Sequence, residues 1–146
     1  MTAILKKALG EGGAFIGDSH GEDNLYRVLS GLADGSFILR GAQSTPSAAV
    51  LDSFVTDKAI NLLALSLKMG TTGTAGSATV AVKVDTVSVA TATVANTEAD
   101  GTVGGGTLAA PVAIAAGALV ELEVTAIPTG GADLVTTARL GGVSTE

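Results

Sequence analysis

The chain has 146 residues, 47% of them hydrophobic and only 15% charged, with eight Lys and Arg against fourteen Asp and Glu. The net charge of −6 divides as four cations against six anions in residues 1–54 and four against eight in residues 55–146. Neither half offers a basic patch by composition, which argues against nucleic-acid binding, where cations displace counterions from phosphate. There is no cysteine, hence no disulfide framework and no thiolate site. The longest apolar stretch, residues 109–120, is broken by Pro111 and Gly117. A membrane-spanning helix needs roughly 20 apolar residues in a row, so no membrane partner is expected. Lys6 and Lys7 are followed by no apolar stretch, so no secretory signal is read there and cytoplasmic synthesis is expected.

Residues 1–21 are glycine-rich, show no period and read as an arm. Residues 22–33 predict a short helix, because Leu25, Val28, Leu29 and Leu32 recur on one apolar face. Ser19 and Glu22 fit a capping box at its start, and Gly35 is a stop signal. Residues 36–40 predict a short strand, and residues 41–49, small, polar and containing Pro46, a linker. Residues 59–69 predict a strand with Leu63, Leu65, Leu67 and Met69 on one face. Ile60 and Leu62 fall on the other, which implies cover on both sides.

Residues 71–77 are turn-rich. Residues 78–84 then alternate, Val80, Val82 and Val84 against Thr79, Ala81 and Lys83. Residues 87–94 predict the next strand, with Asp85 and Thr86 as a two-residue hairpin turn. Residues 95–106 predict a long flexible loop, residues 108–114 a strand, and Gly117 a turn. Residues 119–127 alternate with Val120, Leu122 and Val124 inward and Glu121 and Glu123 outward. Residues 128–132 predict a turn and residues 133–140 the last strand. Short Val- and Thr-rich strands between glycine turns predict a mainly β fold. The expectation is an antiparallel β-sandwich, jelly-roll-like, in residues 55–146, behind an N-terminal arm, short helix and linker in residues 1–54.

The aromatic residues are Phe15, Tyr26, Phe37 and Phe54, so residues 55–146 must build a core from Val, Leu, Ile and Ala. Such a core is thin, because aromatics bury the largest areas per residue. High hydrophobicity beside a thin core points to apolar surface buried against other chains. Phe15, Tyr26 and Phe37 read equally as core of a small N-terminal layer or as anchors in a partner. With Leu25 and Leu29 they form the candidate partner interface.

No motif carries a reaction. His20 lies in DSHGED, but Asp18, Ser19 and His20 are adjacent in sequence, and neighbours rarely line up as orienting acid, nucleophile and base. Asp18, His20, Glu22 and Asp23 match no metal-ligand spacing, and acids at a helix start are expected from its dipole. Residues 101–106 lack the G-x-G-x-x-G spacing, and no Lys-Ser/Thr follows residues 70–76, so neither is a phosphate loop. Glu121 and Glu123 have the residue types of a glycosidase pair, but alternation with Val120, Leu122 and Val124 explains them as a solvated strand face. No catalytic residue, cofactor or metal is expected.

Residues 73–77 (GTAGS), 115–117 (AAG) and 129–134 (TGGADL) each lead into a strand. With the hairpin between the first two, this succession resembles a β-sandwich pattern recurrent in tailed-bacteriophage virion proteins, over about residues 58–140. Asp85-Thr86 departs from the Asn-Gly usual at that hairpin, which leaves the turn type open. The resemblance implies a structural virion component rather than one role within it. The reading that follows is a homotrimeric decoration (cement) protein on the capsid exterior, whose partners are its own copies and the major capsid protein. A neck, tail or fibre module recognising the host through residues 95–106, and a small hydrolase, are the alternatives.

Overall fold

The computed structural model describes residues 37–142. The expected arm, capping box and helix lie outside them. Eight strands follow in chain order: β1 Phe37–Gln43, β2 Ala49–Val55, β3 Ile60–Thr71, β4 Ser77–Val84, β5 Val87–Ala95, β6 Val103–Ile114, β7 Leu119–Ala126 and β8 Ala132–Gly141. They form two four-stranded sheets, ordered β1-β8-β3-β6 and β2-β7-β4-β5. The registered ladders are antiparallel. The fold is a β-sandwich with the strand order of an eight-stranded jelly roll.

The alternating strands behave as their pattern dictates. Val80 and Val82 of β4 and Val120, Leu122 and Val124 of β7 are buried between the sheets, whereas Lys83, Glu121 and Glu123 turn outward. Opposing them from the first sheet are Leu62, Leu65, Leu67 and Met69 of β3 and Leu134, Ala138 and Leu140 of β8. The buried core of the described residues contains no aromatic side chain.

Strand β3 corrects the expectation of cover on both sides. Its buried residues are Ile60 and Leu62, then Leu65, Leu67 and Met69. Register shifts between Leu62 and Ala64 against both neighbouring strands. A β-bulge at Leu63 inserts one residue, so the inward phase moves from even to odd positions. One face of the strand is buried throughout, and Leu63 is the residue left half-exposed.

The sandwich also begins before residue 55. The stretch read as a linker over residues 41–49 contains the end of β1 and the first residue of β2, leaving residues 44–48 as the connection. Both are edge strands, paired on one side only. Gly41 is the close-approach point between them: a methyl group there would collide with the Leu51 side chain. The second correction concerns residues 95–106. Residues 103–106 belong to β6, and Gly104 packs against the Thr93 carbonyl of β5, closing one side of the sandwich. Further along β6, Val112 pairs with Leu62 and Thr107 with Ala64, so residues 108–111 loop out of the ladder. Pro111 lies in that excursion of an edge strand, where its missing N–H costs nothing.

The connections are tied by side chains. At one end the Thr56 hydroxyl donates to Ala115 O at 2.7 Å and accepts from the Ala118 N–H at 2.9 Å. At the other, Asp100 Oδ1 accepts from the Thr72 N–H at 2.8 Å, and the Thr72 hydroxyl lies 3.0 Å from Glu98 O. The Gly101 N–H donates to Met69 O at 2.8 Å, so residues 96–102 are anchored to β3. The β4–β5 hairpin turns through Asp85 at φ 48° and Thr86 at φ 74°, two successive positive values that mark a type I′ turn. Asp85 also bonds β7, its carboxylate accepting from the Leu119 N–H at 2.9 Å.

Candidate functional site: the outer faces of the sandwich

Alternation gives each sheet an outward row set, and the two rows differ in charge. On the β2-β7-β4-β5 sheet, Glu121 lies opposite Ser53 and Lys83, and Glu123 opposite Val50 and Ala81. Lys83 forms an ion pair with Glu123. Ala81, between Glu123 and Thr91 in the ladders, is only 1% exposed because these longer neighbours cover it. The two carboxylates therefore sit on an open strand face, and one of them is engaged by a lysine.

On the β1-β8-β3-β6 sheet the outward residues include three exposed cations. Arg40 follows buried Leu39 in β1, Lys68 lies between buried Leu67 and Met69 in β3, and Arg139 between buried Ala138 and Leu140 in β8. No described acidic side chain pairs with any of them; Asp133 stands at the end of this face. Register places Lys68 opposite both Val135 of β8 and Val103 of β6, which are 44% and 57% exposed. Ser66 lies opposite Thr137 and Gly105, and Ala64 opposite Arg139 and Thr107. Small residues at the centre leave a shallow depression of about 170 Å³ lined by Ser66, Lys68, Val103, Val135 and Thr137 among others. Ile38, 48% exposed, adds an apolar side chain on β1.

Of the candidate interface residues, Phe37 begins β1 and is half-buried. Phe15, Leu25, Tyr26 and Leu29 lie outside the described residues, as do Asp18, Ser19, His20, Glu22 and Asp23. Among the described residues no cluster of three or more His, Asp or Glu side chains is placed to hold a metal ion. No described helix is long and apolar enough to cross a membrane. The cationic face was missed in the sequence because Arg40, Lys68 and Arg139 are far apart along the chain. Their shared signal was local: each occupies the outward position beside inward apolar residues. No protein-family model matches the chain, and no curated protein matches it in sequence.

Proposed function

We propose that the chain is a structural protein of a bacteriophage head, a decoration protein that bridges neighbouring capsid subunits from outside as a homotrimer. The observation that carries this reading is the surface of the sandwich: exposed Ile38, Val103 and Val135 beside cations that hold no ion pair among the described residues on one sheet, and exposed Val50 and Val55 on the other. Such apolar positions on rigid strands suit burial against other chains. The turns that carry the resemblance to phage virion proteins also hold the fold together. Residues 73–77 bond the 129 turn through the Thr74 N–H to Thr129 O and the Thr129 N–H to Ala75 O. At the opposite end the Gly117 N–H donates to Thr56 O.

The mechanism is added interface. A protein that binds the assembled shell and not its dissociated subunits stabilises the shell by mass action. Phe15, Leu25, Tyr26, Leu29 and Phe37 are the side chains proposed to anchor in the partner, since buried aromatics dominate interface energetics. The test is the copy number of the chain in purified virions, measured by quantitative mass spectrometry against the major capsid protein. A ratio near equimolar is expected. A handful of copies per virion would move the chain to neck, tail or fibre, and absence from virions would end the reading.

A further inference from the structure

We propose that the outer face of the β1-β8-β3-β6 sheet is the docking face, and that it takes an acidic protein surface, one offering Asp and Glu side chains around apolar contacts. This rests on the decoration reading and names the chemistry of the partner.

Three features on this face converge. The first is segregation of charge. The chain carries fourteen acids against eight bases, yet Arg40, Lys68 and Arg139 share one face; among the described residues Asp133 stands at its end, and the Asp52 carboxylate reaches only the Arg40 backbone N–H, at 3.5 Å. On the opposite face the lysine is already engaged by Glu123. The cations of the first face hold no ion pair among the described residues, so a docking surface of opposite charge would gain them as new partners. The second feature is the apolar ground that flanks Lys68. Lys68 sits between Val103 and Val135, and the depression beside them can receive a partner side chain. A partner that covers these valines takes water from Lys68 as well, and a buried cation calls for a carboxylate beside it. The third is rigidity. β3 and β8 pair over nine registered positions, so the backbone beneath the face is ordered before binding. A nucleic acid fits less well. Three cations neutralise few phosphates in a chain of net charge −6, and the outward side chains of these strands include no aromatic for base stacking.

The experiment uses the full chain and phage heads assembled without it as the probe, with binding followed by co-sedimentation at low and high salt. Wild type is expected to bind and to weaken as salt rises. The double variant Lys68→Glu with Arg139→Glu is expected to bind about tenfold more weakly or worse, because rim charges govern encounter and salt dependence. Glu121→Lys on the opposite face is expected to bind within about twofold of wild type. Melting temperatures of the variants establish that they fold; if the charge reversals unfold the chain, Lys68→Gln with Arg139→Gln takes their place. Binding of the double variant equal to wild type overturns the assignment of the face while leaving the decoration reading intact. Failure of wild type to bind heads overturns both. Binding of wild type to duplex DNA that is lost in the double variant gives the face to nucleic acid and overturns the acidic-protein assignment. Self-association that is lost in the double variant gives it to a second copy, with the same consequence.

Discussion

Replacing Gly104 by alanine tests how closely the two sheets meet at their β5–β6 side. The added methyl group would fall on the Thr93 carbonyl oxygen, with Thr93 C at 2.9 Å and Val94 Cγ2 at 3.0 Å. Carbon atoms rest comfortably at about 3.5–4.0 Å, so the strand edges must part by roughly 1 Å. The main obstacle is backbone, which cannot turn aside as a flexible side chain would, and the gap would open over buried Ala92 and Val94. Overpacking of this kind costs about 1–3 kcal/mol, and the upper half of that range applies here. For a domain of this size each kcal/mol lowers the melting temperature by about 4 °C, so a fall of about 8–12 °C is expected in a circular-dichroism melt. Gly117→Ala is the reference, because Gly117 has φ 80° and nothing within 4 Å of the added atom. It measures the cost of left-handed backbone alone, about 1–2 kcal/mol. Gly104→Ala melting within about 2 °C of wild type, or above Gly117→Ala, would refute the close approach.

Three further substitutions probe particular devices of the fold. Thr86→Gly removes a β-branched side chain from φ 74° and should raise stability by about 0.5–1 kcal/mol; an unchanged or lower melting temperature would contradict the I′ turn. Leu62→Ala should cost about 2–5 kcal/mol as a core cavity, whereas Leu63→Ala, at the bulge, should cost about 1 kcal/mol or less. Equal losses in urea titrations would mean that β3 has no bulge there. Thr56→Val keeps the shape of a residue 4% exposed but removes its bond to the Ala115 carbonyl and orphans the buried Ala118 N–H, for about 1–3 kcal/mol. A urea midpoint equal to that of wild type would show that water replaces both bonds.

By itself the sequence determined the class of the fold and its central strands. β4 and β7 are surrounded by other strands and buried on one face, so Val80, Val82, Val120, Leu122 and Val124 repeat with period two and can be read locally. The Asp85-Thr86 turn was legible for the same reason, since two residues between alternating segments suffice to mark a hairpin. Tertiary structure decided what depends on a neighbour from elsewhere in the chain. The edge strands β1 and β2 pair on one side only; the first half of β1 was legible as a short strand, but its end and the start of β2 looked like linker. The bulge in β3 shifts the inward phase by one residue, which in one dimension resembles burial on both faces. Gly104 and Gly105 carry the local signature of a loop, but the need for glycine comes from the Thr93 carbonyl of the opposite sheet at Gly104, and at Gly105 from the Leu65 carbonyl of β3, Ala92 of β5 and a φ of 79°. The cationic face has no sequence signature either. Arg40, Lys68 and Arg139 lie on β1, β3 and β8, and only the order β1-β8-β3 sets them on one face, because strand pairing joins segments that the chain separates by tens of positions.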